Sequence, residues 1–369
     1  MKFLIIAPRY HINLHDRIKA LQKAENTVDL IVQYKGKSEK YDLIEPKVIG
    51  YSKLYLFFEK IVKIFKKKYL KSSWQLKLSY PPLKKFKNKI KQIKPDVIIV
   101  KGLKSLFSIC ALRYAKKFNI KSIIFIQREK FKCENLKEKI ICWFLFKHYR
   151  VQAVASPICT MTDLDLKNYK KFHYIPFVYD AVDFEKSYFQ DGKINILNIG
   201  KFESIKDHIT LLKAVEKLKS FYQIKVTLVG EKADPNYVLK LMDFVKENKM
   251  ENIVEFKFQV PHPEVIDLYR QNDLFVLTSY QDPASLQPLE AMANKLPVIS
   301  SDKNGTKCYV KEGETGYIFK SQNVDDLVQK IESIIDDRDD VIRMGWKGFE
   351  QALQNYSLDK FTNRIKELC

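Results

Sequence analysis

YQDPASLQPLEAMANKLPVISSDKNG occupies residues 280–305. An apolar run, DLFVLTS (273–279), precedes it, and a second run, LPVIS (296–300), lies inside it. Between them SLQPLEAMANK reads as a helix: Pro288 suits a first turn, and Leu286, Leu289 and Ala293 make an apolar stripe. Two continuously apolar strands joined by a helix point to a parallel sheet covered on both faces. Asp282 then sits in a loop at the carboxyl end of a strand. Glu290 flanks the apolar stripe, where a carboxylate is costly unless it is hydrogen-bonded. The amino end of the helix offers N–H groups that suit phosphate. Two readings are open. One is a carboxylate above a phosphate cradle, with a second carboxylate one turn inside. The other is a first-turn acid that serves the helix dipole.

The same rhythm runs through the chain. KFLIIAP (2–8), TVDLIVQ (27–33), DVIIVKG (96–102) and KSIIFIQ (121–127) are short Ile- and Val-rich runs separated by helical patterns. INILNIG (194–200), IKVTLVG (224–230) and NIVEFKF (252–258) continue it into the second half. Two such sets predict an α/β fold with two doubly wound domains. A length of 369 residues agrees with two cores. The expected division is 1–180, 181–353, and a terminal amphipathic helix within 354–369 that packs back toward the first domain. Ligands of open parallel sheets bind beyond the carboxyl ends of the strands, so the loops there are the candidate sites.

Charge is divided unevenly. Residues 1–180 carry 39 Lys and Arg against 14 Asp and Glu, a balance of +25, whereas residues 181–369 carry 26 against 30. A basic first half suits nucleic acid, an anionic membrane or an acidic substrate. No RRM, zinc-finger or helix-turn-helix signature supports nucleic acid. The six cysteines show no CxxC and no Cys/His clustering, which argues against zinc and reads as reduced, cytosolic thiols. No DxD motif points to an essential metal. KFLIIAP is too short for a signal-peptide core, and the longest apolar run, IICWFLF (140–146), is far too short to cross a bilayer.

The stretch 280–305 resembles the nucleotide-sugar site of retaining glycosyltransferases of family 4, which have the two-domain GT-B architecture. That family places two acids with seven residues between them, followed by LEAMA-G-PVI; here Asp282, seven residues and Glu290 precede AMANKLPVI. Three departures stand out. Asp282 replaces the usual Glu, Ala284-Ser285 the usual Phe-Gly, and Lys295-Leu296 the small residue before PVI. NIGKFESIKDHITLL resembles the family's G-R-x-x-x-x-K-G element, with Lys201, Lys206 and Asp207 in place of Arg, Lys and Gly. The resemblance implies a nucleoside-diphosphate-sugar donor held by Gly200, Lys201, Lys206, Glu231, Ser285, Leu286, Gln287 and Glu290. Glu290 would accept from ribose hydroxyls and Asp282 would face the sugar. Asp282, Lys201 and Lys206 would carry the chemistry, since two cations neutralise a departing diphosphate. Without the nearby acids, two solvated lysines at a helix start would be the ordinary reading.

The first half departs from the family's usual Gly-Gly after the first strand. Arg9, His11, Asn13 and His15 crowd that loop instead, as an acceptor site or as ordinary polar residues of a helix start. Gln127 and Arg128 follow KSIIFI, where many members have a His. Gln is no base near neutral pH, so front-face transfer with the diphosphate taking the acceptor proton is favoured. His148, His173, His208 and His262 have no partner pattern and read as structural. Residues 51–100 hold 14 Lys against Glu59 and Asp96. Within them, residues 54–70 have helical periodicity. Leu54, Phe57, Phe58, Ile61, Val62, Phe65 and Tyr69 share one face, with Lys60, Lys63 and Lys67 opposite and Lys66 and Lys68 at the borders. That pattern fits a helix in an anionic membrane surface or one packed on the first sheet. The expected enzyme is a cytoplasmic, peripheral membrane glycosyltransferase with a glycan or glycolipid acceptor, no nucleic-acid partner and no metal. A nucleotide-sugar epimerase or hydrolase of the same fold, and a nonenzymatic basic nucleic-acid module, rank lower.

Overall fold

The computed structural model describes residues 1–36, 41–65, 78–103, 105–127, 136–158 and 171–369. It divides into unit 1, Met1–Val178 with Leu358–Cys369, and unit 2, Tyr179–Ser357. Lys66, Lys67, Lys68, Tyr69 and Arg128 lie outside the described residues, as do the side chains of Val62, Lys63 and Phe65.

Unit 1 is built on strands β1 (Lys2–Ala7), β2 (Thr27–Val32), β3 (Lys47–Val48), β4 (Val97–Lys101), β5 (Lys121–Phe125), β6 (Ala153–Ser156) and β7 (Phe172–Tyr174). They form one parallel sheet in the order β3-β2-β1-β4-β5-β6-β7. Strand alternation sends Phe3, Ile5 and Ala7 to one core and Leu4 and Ile6 to another. Both faces are therefore apolar, as the unbroken Ile/Val runs require. Helices α1 (His15–Lys23), α2 (Lys53–Phe65), α3 (Leu83–Ile93), α4 (Leu106–Lys117) and α5 (Leu136–Trp143) belong to this unit, and a π-helical turn, Phe144–His148, continues α5.

Unit 2 contains β8 (Ile194–Ile199), β9 (Ile224–Gly230), β10 (Val254–Phe258), β11 (Leu274–Leu277), β12 (Val298–Ser301) and β13 (Gly316–Phe319). The order is β10-β9-β8-β11-β12-β13, all parallel. The chain moves outward from β8 to β10, then restarts on the other side of β8 with β11. A crevice opens at such a reversal, beyond the carboxyl ends of β8 and β11. The helices are α6 (His208–Leu218), α7 (Pro235–Glu247), α8 (His262–Gln271), α9 (Gln287–Ala293), α10 (Val324–Ile335) and α11 (Arg338–Tyr356). The last helix, α12 (Leu358–Glu367), packs on α1 of unit 1, where Thr362 Oγ1 donates to the Ala20 carbonyl at 3.0 Å. The buried Arg17 guanidinium lies 4.3 Å from the centre of the Phe125 ring and also faces Phe361 of α12.

Two positions in unit 2 explain local sequence choices. Lys295 ends α9 in a left-handed conformation (φ 59°) yet is wholly buried. Its Nζ donates to Asp183 Oδ1 at 2.5 Å and to the Phe184 carbonyl, and sits 3.6 Å from the centre of the Trp346 ring. Gly345 makes room for it: a Cβ there would lie 2.3 Å from the Lys295 carbonyl oxygen. His208, the first residue of α6, is stacked on Phe202 at 4.9 Å. Burial, aided by the charge of Lys206, pushes its pKa down to about 3. Among the cysteines, Cys110 and Cys369 are free thiols. Cys142 and Cys308 are not, which corrects the reading of six reduced thiols; spacing along a sequence does not fix a thiol's redox partner.

Lys295→Met keeps most of the apolar stem but removes the cation from its aromatic cage. It should lower stability by about 2 kcal/mol, the value of a desolvated cation–π contact; an unchanged urea midpoint would rule out that role. The His208 imidazole has a folded pKa below its unfolded value of about 6.5. The unfolded chain therefore takes up a proton that the folded chain refuses. Stability from this site is complete above about pH 6.5 and falls as pH drops toward about 3. Thermal midpoints measured between neutral and mildly acidic pH should decline more steeply for the wild type than for His208→Phe, and parallel curves would contradict the assignment.

Candidate functional site

The loops after β8, β9 and β11 meet because small and hydrogen-bonding residues hold them together. A Cβ on Gly230 would lie 1.9 Å from the Gly200 carbonyl oxygen, so the ends of β8 and β9 can approach only with glycine there. Phe202 N–H donates to the Glu231 carbonyl and Asp234 N–H to the Phe202 carbonyl, each at 2.9 Å. Lys201 Nζ lies 3.0 Å from Glu231 Oε2, both side chains being exposed. A 3₁₀ turn, Ser204–Lys206, ends at Asp207 in the left-handed region (φ 53°). Asp207 is buried, which raises its pKa, and its carboxylate accepts from Thr210 Oγ1 at 2.7 Å. The turn is clipped to the end of β11: Thr278 Oγ1 donates to the Lys206 carbonyl at 2.9 Å, and Tyr280 N–H to the Ile205 carbonyl at 3.1 Å.

This clip brings Lys206 Nζ to 2.6 Å from Asp282 Oδ2. The pair is nearly excluded from solvent, with side-chain exposures of 16% and 9%. Asp282 Oδ1 accepts from Ala284 N–H at 3.3 Å, and the Asp282 carbonyl accepts from Gly305 N–H at 2.9 Å. Farther along, Ser285 Oγ donates to Gln287 Oε1, and Thr306 Oγ1 donates to the Ser285 carbonyl at 2.8 Å. Leu286 stands at the N-cap position of α9, and Gln287 and Pro288 open the helix.

Glu290, one turn inside α9, is 7% exposed. Its Oε2 accepts from the buried Tyr269 hydroxyl at 3.0 Å, and its Oε1 lies 3.6 Å from His262 Nε2. Burial, then the Glu290 charge, raises the Tyr269 pKa far enough to keep the hydroxyl protonated as a donor. His262, classed from sequence with the structural histidines, thus stands beside the candidate site, and Tyr269 was not singled out at all. Both lie on α8 seven residues apart, so they share a helix face. That spacing was the available signal. One oxygen of Glu290 is anchored while the other faces the more accessible histidine, an arrangement able to accept from a ligand hydroxyl. Among the described residues no group of His, Cys, Asp and Glu is placed to hold a metal ion.

In unit 1 the loop after β1 sits beside β4, at that sheet's own reversal point. Arg9 and His11 are exposed. Asn13 Oδ1 accepts from Lys101 Nζ at 2.7 Å. His15 Nδ1 lies 2.7 Å from Asp16 Oδ1 and its Nε2 3.5 Å from Asp42; Asp16 above all raises its pKa and favours the imidazolium. Gln127 follows β5 and is half-buried. Lys101, at the end of β4, was not anticipated. On α2, Lys60 is exposed. No described helix is long and apolar enough to cross a membrane.

Residues 180–351 match the family described as Glycosyl transferases group 1. A D-inositol 3-phosphate glycosyltransferase of Corynebacterium aurimucosum is 24% identical over 160 residues, covering 42% of this chain and 38% of that protein. Spore coat protein SA of Bacillus subtilis is 23% identical over 47% of this chain and 48% of its own length. The chain thus spans less than half the length of these relatives. Solved structures are similar over the whole chain. A glycosyltransferase from Rickettsia africae superposes with a TM-score of 0.73 at 16% identity, covering 100% of this chain and 97% of that one. HepE of Anabaena in complex with UDP-glucose gives 0.74 at 14%, covering 100% and 98%. The two doubly wound units are accordingly those of a GT-B fold, and the similarity to the Glycosyl transferases group 1 family lies over residues 180–351.

Proposed function

We propose that the protein is a retaining glycosyltransferase that moves a sugar from a nucleoside-diphosphate sugar to a cell-surface or capsular glycan precursor carried on a lipid. The observation that carries this reading is the largely shielded Lys206–Asp282 pair at the strand reversal of unit 2, on the loop that leads to the helix of Glu290. The family match over 180–351 supports the reaction class, and UDP-glucose in the HepE structure supports the donor class. The donor diphosphate takes Lys206 from Asp282 and meets Lys201, so that both cations stabilise charge on the leaving group. Glu290, anchored by Tyr269, accepts from the ribose hydroxyls. Asp282, released from Lys206, faces the positive charge that develops on the sugar. In front-face transfer the bond from the sugar's anomeric carbon to the diphosphate breaks as the acceptor oxygen bonds on the same side. The departing diphosphate oxygen takes the acceptor proton, so Gln127 need not act as a base. Arg9, His11, Asn13, His15, Gln127 and Arg128 form the acceptor side. The excess of lysine in unit 1 suits work at the cytoplasmic face of an anionic membrane.

Release of nucleoside diphosphate from UDP- and GDP-sugars, with and without a membrane extract, tests this directly. Acceptor-stimulated turnover is expected; turnover indifferent to acceptor would favour a hydrolase. Lys206→Met should lower kcat/KM by about 10²–10³, the usual cost of one contact to developing charge. Asp282→Asn should move two quantities in opposite directions: turnover falls, while nucleoside-diphosphate affinity rises by up to about tenfold, because Lys206 no longer has to leave a carboxylate. Loss of both would break the link between the two residues. Tyr269→Phe frees Glu290 Oε2 and should raise KM for the donor with little change in kcat, since a ribose contact is made in ground and transition states alike. Glu290→Gln should do the same more strongly; a kcat effect of equal size in either variant would contradict the ribose assignment.

A further inference from the structure

We infer that the outer face of α5 and its π-helical continuation is a membrane-docking surface, with an anionic lipid bilayer as its occupant. This deepens the membrane side of the proposed function and rests on that reading only for why docking is useful.

The segment 136–149 is apolar on two faces. On the inner side Leu145 is buried, and Ile141, Cys142, Phe146 and Tyr149 pack against the core of unit 1. On the outer side Leu136, Ile140, Trp143 and Phe144 are exposed by 74%, 47%, 55% and 45%. Their spacing, i, i+4, i+7 and i+8, puts them in one stripe. Packing inside the unit already buries the inner face, whereas among the described residues the outer stripe stays open to solvent. Contiguous exposed apolar surface of this kind marks an interaction site. A second apolar surface stands on α2, where Leu54, Phe57 and Phe58 are more than half exposed. Tyr51, just before α2, stacks on Tyr34 just after β2, which ties that helix to the carboxyl edge of the sheet. The chain leaves the same edge after β5, on its way to α5.

Charge selects the occupant. Exposed Lys139, Lys147 and Arg150 lie within or next to the outer stripe of α5, and residues 1–180 carry a balance of +25. A second copy of this chain would bring the same positive field against itself. An anionic bilayer offers opposite charge to the cations and an apolar layer to Leu136, Ile140, Trp143 and Phe144. Tryptophan beside an aromatic and basic residues is the composition of helices that lie in the lipid interface.

The test uses the full chain and vesicles of phosphatidylcholine, with or without phosphatidylglycerol. The protein should float with the anionic vesicles only, and added salt should weaken the binding. Trp143→Ser combined with Phe144→Ser should reduce the bound fraction at least about tenfold. Both side chains are exposed, so circular dichroism and the thermal midpoint should match the wild type. Brominated phosphatidylglycerol should quench tryptophan emission of the wild type, and Trp143→Phe should remove part of that quenching although Trp74 and Trp346 remain. Absence of flotation would overturn the inference. So would flotation and quenching unaffected by the variants, or concentration-dependent self-association that the double substitution abolishes. The proposed transferase reading is separate: if the double variant no longer floats but still releases nucleoside diphosphate from its donor with a water-soluble acceptor, the chemistry stands without the surface.

Discussion

A buried carboxylate is costly unless a cation meets it, and the half-buried Lys206 meets Asp282 across 76 residues of chain. A pair sheltered to this degree is screened less by solvent than a surface ion pair. The pair therefore fixes the loop after β8 against the loop after β11, and much else follows from that contact. It holds the 3₁₀ turn, which sets the start of α6. It also fixes residues 282–286 before α9, with Asn304 and Gly305 completing the enclosure. A diphosphate is among the few ligands that can replace the carboxylate on Lys206 without leaving the cation bare. Lys206 and Asp282 balance each other's charge, and any anion that reaches Lys206 must compete with Asp282.

The parallel sheets were legible because burial on both faces forces unbroken Ile/Val runs, and residues 2–8 or 224–230 admit few other readings. Three short strands were not. KV is too short to carry periodicity, AVAS and GYIF have no unbroken Ile/Val run, and all three are identified only by their pairing in the sheet. At the candidate site, Asp282, Glu290 and Lys206 were visible as charged residues in apolar or loop settings that demand a partner. Tyr269 was hidden because a tyrosine in an amphipathic helix looks like ordinary core. Only the fold shows that its hydroxyl ends at a carboxylate. Lys101 was hidden for the same reason, as its partner Asn13 lies 88 residues away.

The uneven charge has a consistent physical consequence. Unit 2 holds nearly balanced charge and pairs its cations locally, Lys206 with Asp282, Lys201 with Glu231 and Lys217 with Asp325. The first half of the chain has 39 cations and too few acids to pair with them, so its basic charge projects outward as a field. Most of its outward apolar residues, among those described, lie on α2 and on α5 with its π-helical turn, within that field. A solvated basic face alone would have no need of Trp143 or Phe57 at the surface.

Two of the positions where the family pattern has glycine or a small residue show how the chain tolerates departing from it. Asp207 and Lys295 both adopt left-handed backbone, at a cost of about 1–2 kcal/mol per residue for an ordinary side chain. Each side chain supplies something glycine cannot. Asp207 accepts from Thr210 at the first turn of α6, and Lys295 reaches Asp183 and the Trp346 ring. A hydrogen bond to a charged group contributes about 1.5–3 kcal/mol, enough to offset the strain at either position. The loops before α6 and after α9 therefore keep a left-handed geometry without glycine. They also lose glycine's freedom to leave that geometry, which makes the surroundings of Lys206 and Glu290 stiffer than the glycine-bearing pattern would.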